Sequence, residues 1–165
     1  MWYDAIQSDN PDWDTIEASF PYAAAMKNCL QDPSNHGEGD VWTHTRMVAE
    51  KLKQVDADTP LKRMVALFHD VAKPDTRTIE DGRVRFPSHA RRGAKMAWYD
   101  LWDRGYNLEQ RLSVFAMIMW HQRVFHMWEY DDATRTRLAL EYSEMGGNWI
   151  NLIEFARADN LGRIC

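Results

Sequence analysis

Apolar residues recur along most of this chain at intervals of three and four, the spacing that lines one face of a helix. The clearest run follows Asp40, where Val41, His44, Val48, Leu52 and Val55 share a stripe. The imidazole of His44 therefore faces the core side, and Asp40 reads as the cap of its helix. Thr59-Pro60 opens another helix, with Leu61, Met64, Val65 and Phe68 on one face. His69 and Asp70 fall in its last turn or two, and Lys73-Pro74 ends it. Ser88 is a good cap for a helix that starts at His89 and runs to about Arg104, with Gly105 as its stop. Asn107 caps the next, which climbs through Leu112, Phe115, Ile118 and Met119 to His121.

A loop or short helix, VFHMWEY, follows. Helices from about Ala133 to Glu144 and Asn148 to Leu161 come next, split by Gly146-Gly147. In the last of them Leu152, Phe155, Ala156 and Asp159 share a face. At the other end, Asp12 or Asp14 caps a short helix through Phe20, and Pro21 opens one from Tyr22 to Leu30. The polar stretches Gln31–Asp40 and Asp75–Pro87 read as loops, with Asp81-Gly82 a turn and RVRF at most a short extended piece. No strand pattern rises above this background. The expected class is all-α, a helical bundle.

Composition narrows the picture. A chain of 165 residues fits one domain, and 45% hydrophobic content allows a proper core. Eight Trp and nine Met beside few Gly and Pro suit helices. A net charge of −5 gives no general pull toward nucleic acid, though local basic clusters can still take phosphates. Two cysteines, Cys29 and Cys165, imply no disulfide framework, and a reducing cytoplasm is the expected setting. The first residues carry acids and no apolar run, unlike a signal peptide, and no stretch is long enough to span a membrane.

The candidate chemistry lies in His44, the pair His69-Asp70, His89, His121 and Asp159. One histidine on an apolar face is usually a hydrogen-bonded core residue, and a His-Asp dipeptide occurs by chance. Together, at or near the ends of several apolar helices, they read differently. A carboxylate such as Asp159 on an apolar stripe is costly unless paired or bound to metal. One metal centre would answer all of these burials at once. The mixed imidazole and carboxylate set suits Mn, Fe, Co, Ni or Zn better than Ca.

The order His44, His69-Asp70, Asp159 resembles the HD superfamily of metal-dependent phosphohydrolases. The wording around it (DVWTHTRMV, ALFHDVAKP, FPSHARRGA, WHQ and RADNLGR) is similar to the HD domains of bacterial CCA-adding tRNA nucleotidyltransferases. It is still more similar to the HD modules attached to polynucleotide kinases in bacterial RNA end repair. The resemblance covers residues 35–165, leaving 1–34 as a helical extension of a single HD domain. The chain carries no nucleotidyltransferase segment and no GxxxxGK(S/T) loop, so it reads as the hydrolase module alone or as a piece of a longer protein.

The resemblance implies roles. His44, His69, Asp70 and Asp159 would hold a first metal. Asp70 would bridge to a second, held by His89 and His121. With one metal only, those two histidines would contact phosphate or serve as acid and base. Lys73 would face the scissile phosphate. Arg91, Arg92 and Arg123 are candidate phosphate contacts, Arg92 ahead of Arg91, because a helix N-terminus with nearby guanidinium groups seats anions. Asn160 and Arg163 would hydrogen-bond the ligands. Trp42 and Trp120 could stack on a base, while His36 and His126 read as surface or structural groups that could line the cleft. The implied substrate is a phosphate ester of a nucleotide or RNA end, 2′,3′-cyclic phosphate included, in company with RNA-processing proteins. The alternatives are a (deoxy)nucleotidase or deoxynucleoside triphosphohydrolase, and a non-catalytic module that binds metal or nucleotide.

Overall fold

The structure, a computed structural model, describes residues 1–164; Cys165 lies outside them. Ten α-helices and one two-stranded hairpin follow in order: α1 (Trp2–Ala5), α2 (Trp13–Ser19), α3 (Ala23–Lys27), α4 (Val41–Gln54), α5 (Pro60–Phe68), α6 (Lys73–Thr76), β1 (Thr78–Glu80), β2 (Arg83–Arg85), α7 (His89–Asp103), α8 (Leu108–Trp120), α9 (Asp132–Glu144) and α10 (Trp149–Leu161). A 3₁₀ segment, Arg123–Glu129, links α8 to α9. The fold is a helical bundle.

Polar caps set the helix starts. The Asp40 carboxylate accepts from Thr43 N at 2.9 Å, and Asn107 with Gln110 closes a reciprocal capping box. Thr59 caps α5 ahead of a proline in its first turn.

Five local expectations change. The helix read over Tyr22–Leu30 is the shorter α3, because Leu30 turns out to form an antiparallel bridge with Asp40 that closes the intervening loop. His69 is the C-cap of α5 and Asp70 lies beyond it. Lys73-Pro74 starts α6 rather than ending a helix, since a proline near the first position lacks only an N–H that has no partner there. Ser88 stands at φ +59° and makes no side-chain cap, so α7 starts without one. The segment Asp75–Pro87 holds the β1–β2 hairpin, with Ile79 opposite Val84 and a turn at Asp81-Gly82. Its three-residue strands are too short to register as a pattern.

One apolar cluster joins the N-terminal helices to the centre. Trp2, Ile16, Phe20 and Met26 pack with Val48 and Leu52 of α4 and Leu67 and Phe68 of α5. A smaller cluster, including Trp120, Leu138, Tyr142 and Leu152, ties α8, α9 and α10 together. Residues 1–34 thus share the main core. Arg63 fixes them: its side chain is 1% exposed, donates to the carbonyls of Ile6 at 2.9 Å and Gln7 at 2.8 Å, and pairs with Asp58 at 2.9 Å.

Two glycines let the central helices close up. A Cβ on Gly93 of α7 would sit 3.3 Å from the Phe68 carbonyl, and one on Gly162 would sit 2.9 Å from a Val48 methyl of α4. These approaches bring the start of α7 against the end of α5, and the end of α10 against α4.

Replacing Arg63 with Met would leave the buried Ile6 carbonyl, the half-buried Gln7 carbonyl and Asp58 without their partner. A loss of about 2–4 kcal/mol is expected in urea unfolding. Limited proteolysis should then cut first before residue 13.

Candidate metal centre

Helix termini converge on one buried point. His44 comes from the first turns of α4, His69 and Asp70 from the end of α5, His89 from the first residue of α7, His121 from the C-cap of α8 and Asp159 from the last turn of α10. All six are at most 3% exposed.

Each imidazole is oriented by its own backbone surroundings. His69 Nδ1 pairs with the Ala66 carbonyl at 2.8 Å, His89 with Phe86 at 2.7 Å, and His121 with Ile118 at 2.6 Å. A carbonyl can only accept, so each Nδ1 carries a proton and donates it, turning each Nε2 toward the cluster. His44 Nδ1 faces Glu38 at 2.9 Å and the Gly162 carbonyl at 3.3 Å.

The Nε2 atoms gather around Asp70. Oδ2 lies 3.2 Å from His69 and 3.8 Å from His44; Oδ1 lies 3.3 Å from His89 and 3.7 Å from His121. His44 Nε2 also meets Asp159 Oδ1 at 3.1 Å. The two Asp70 oxygens therefore face different histidine pairs. Ligand atoms of His44, His69 and Asp159 lie within 4.8 Å of one another, and so do those of Asp70, His89 and His121.

Three of these atoms show what is missing. His69 Nε2, Asp70 Oδ1 and His89 Nε2 are buried and have no hydrogen-bond partner. Unsatisfied buried groups are costly, and a divalent cation would satisfy all three. The residues fit a metal.

Electrostatics are tuned to match. Burial would raise the Asp70 carboxyl, but His69 and Lys73 beside it hold it well below the usual range. Asp159 is likewise held low against burial, by His44, His69 and Arg163. Burial pushes His121 down to about 3, so it is neutral and ready to ligate. Burial opposes charging His44 as well, yet Asp159 and Glu38 outweigh it and raise it to about 9.

A cavity of about 530 Å³ opens beside the cluster, lined in part by Lys73, His89, His36, Arg163, Arg85 and Phe86. Lys73 Nζ binds Asp70 Oδ2 at 2.7 Å and Gln31 Oε1 at 2.6 Å while edging the cavity. Arg163 pairs with Asp159 at 3.2 Å on the same wall. Asn160 is exposed.

Arg91, Arg92 and Arg123 are exposed and lie outside the cavity lining. On α7 the buried face is His89, Gly93, Ala97 and Leu101, a four-residue repeat that turns positions 91 and 92 away. Arg92 pairs with Asp75 at 2.9 Å, and Arg123 lies over the Trp120 ring. Trp42 and Trp120 are each 2% exposed, so neither ring is free to stack on a base. His36 does reach the cavity, whereas His126 is exposed beside Glu129.

Glu38 and Gln31 escape sequence reasoning, since both sit in a loop with no periodicity. Glu38 takes His44 on one oxygen, His36 on the same oxygen at 2.6 Å, and the Ile164 amide on the other at 2.9 Å. These contacts outweigh burial and bring its carboxyl down to about 2. The only signal was a lone acid six residues before His44.

The HD domain family profile matches residues 41–161. The chain is also similar to the CC-adding tRNA nucleotidyltransferase of Thermus thermophilus, with 46% identity over 59 residues, 34% of this chain. That match spans 14% of the relative's length. No solved structure matches the chain.

Below about pH 9 the metal-free protein carries a proton on His44 that a cation must displace. Titrating Mn²⁺ or Co²⁺ into the metal-free protein at pH 7 should release protons, read by calorimetry in buffers of different ionisation enthalpy. Affinity should rise with pH up to about 9. Glu38→Gln, which weakens the hold on His44, should reduce metal affinity about 10–100-fold in competition with a chelating dye.

Proposed function

Because the chain belongs to the HD domain family, a superfamily of metal-dependent phosphohydrolases, we propose that it hydrolyses phosphate esters of nucleotides or RNA ends, 2′,3′-cyclic phosphates and phosphomonoesters among them. The observation that carries this reading is the division of Asp70. Its two oxygens face separate histidine pairs, beside a cavity walled by Lys73 and Arg163. In that arrangement His44, His69, Asp70 and Asp159 would hold one cation, and Asp70, His89 and His121 would hold a second. Transition metals such as Mn, Fe, Co, Ni or Zn fit these donors. Bound there, they would activate water near neutral pH and neutralise charge on the phosphate.

The protein's own groups do the rest. Lys73 is locked by Asp70 and Gln31, so its ammonium is fixed at the cavity edge before any substrate arrives. Arg163 offers a guanidinium to phosphate oxygens from the opposite partner, Asp159. The β1–β2 hairpin places Arg85 and Phe86 on the outer wall, where they would meet the nucleoside. The unpartnered His89 Nε2 lies on the inner wall, with the neutral His121 behind it. The likeness to a CC-adding tRNA nucleotidyltransferase supports a setting among RNA-processing proteins. A reducing cytoplasm is in keeping with the Cys29 thiol, buried in the core and free among the described residues.

Purified protein loaded with Mn²⁺, Co²⁺ or Ni²⁺ should open 2′,3′-cyclic nucleotides or release phosphate from nucleoside monophosphates. Asp70→Asn should abolish turnover and lower bound metal. Lys73→Ala should keep metal and lose about 100-fold in kcat/KM. Turnover confined to deoxynucleoside triphosphates would make the protein a nucleotide-pool enzyme instead. Metal binding with no turnover of any ester would leave a binding module.

A further inference from the structure

A second concavity, of about 640 Å³, adjoins the first. Phe125, Met127 and Trp128 of the 3₁₀ segment form one side; Trp149, Ile153 and Arg157 of α10 form the other. Two stretches of chain contribute to both concavities. Gln122 and Arg163 line the first, while Val124, Phe125 and Asn160 line the second. At the boundary the Arg163 guanidinium lies 5.3 Å from the centre of the Phe125 ring. The side chain that pairs with Asp159 at the metal cluster is therefore also the first rung of the groove.

The lining is apolar, aromatic and cationic. No carboxylate lines it among the described residues, in a chain with 25 acids and a net charge of −5. Arg135 is tied to Asp132, but Arg157 is exposed and has no ion pair among the described residues. Trp128 is 84% exposed, a large aromatic surface left in water. Flat rings beside an uncompensated guanidinium suit nucleobases on a phosphate backbone, since every base offers a face to stack and every linkage an anion.

We propose that this groove binds the nucleotides on the 5′ side of a terminal phosphate seated at the metal cluster, so that the substrate is the 3′ end of a single-stranded RNA rather than a free nucleotide. The proposal rests on the hydrolytic reading above. Bases stack on Trp128 and Phe125, Arg157 meets the backbone, and Arg163 marks the passage to the cleavage site.

The test uses 5′-fluorescein-labelled pentauridylate bearing a 3′-phosphate, with binding read by anisotropy on chelator-treated protein. Turnover of a pentanucleotide ending in a 2′,3′-cyclic phosphate and of 2′,3′-cyclic AMP is measured in parallel on the metal-loaded protein. Trp128→Ala and Arg157→Ala should each weaken the oligonucleotide about tenfold, in affinity and in KM, with cyclic AMP turnover changed less than about twofold. Arg157→Ala should also lower the salt dependence of binding by about one ion. Unchanged oligonucleotide binding in both variants would overturn the proposal. So would parallel loss on both substrates, or a wild-type dimer that Trp128→Ala splits while RNA binding stays intact. Groove-dependent RNA binding without turnover of any ester would keep the groove and refute the hydrolytic reading. Turnover of cyclic AMP without binding of the pentanucleotide would do the reverse.

Discussion

A carboxylate taken out of water, as Asp70 is at 1% exposure, costs several kcal/mol unless opposite charge or hydrogen bonds answer it. Here Lys73 answers one oxygen, while the other, Oδ1, faces imidazole edges without a hydrogen-bond partner, a place that a cation would fill. Those edges face Asp70 only because each Nδ1 is engaged elsewhere. Three histidines donate to the carbonyl three residues back, a bond available at a helix terminus and absent in mid-helix, where that carbonyl is already an acceptor within the helix. The cluster thus requires helix ends, and the bundle is arranged to bring helix ends to one place.

That requirement explains the rest of the packing. Gly93 and Gly162 permit contacts that a side chain would block, and the distances within the cluster follow from them. The loop before α4 folds back so that Glu38 reaches His44 and Gln31 reaches Lys73. Arg63 holds the N-terminal helices against α5, the helix that carries His69 and Asp70 at its end. The smaller cluster of Trp120, Tyr142 and Leu152 does the same for α8 and α10, and so for His121 and Asp159.

Much of this was legible in the sequence. Helical spacing put His44 and Asp159 on buried faces, and the caps Asp40, Thr59 and Asn107 marked real helix starts. The combination of four histidines and two aspartates at helix ends indicated a shared site, which the fold does assemble. What was hidden came from loops and from the angular position of charges. Glu38 and Gln31 gain their roles through a loop closure that leaves no periodic trace. Arg91 and Arg92 lie near His89 in sequence, but the helix turns them outward. The hairpin had only an Asp-Gly turn and the short extended piece RVRF to announce it, with three residues on either side of the turn.

His44 and Asp159 meet across 115 residues of chain, and the ends of α5, α7 and α8 supply the other ligands. Contacts that distant form late, after the local helices exist and the loops between them have closed. During synthesis the four histidines emerge well before Asp159 does. In that interval Asp70, His89 and His121 are already present, but His44 and His69 still lack their third partner. The set of His44, His69 and Asp159 therefore closes only once α10 has packed on α4, which makes that half of the centre a late product of this fold rather than a seed for it.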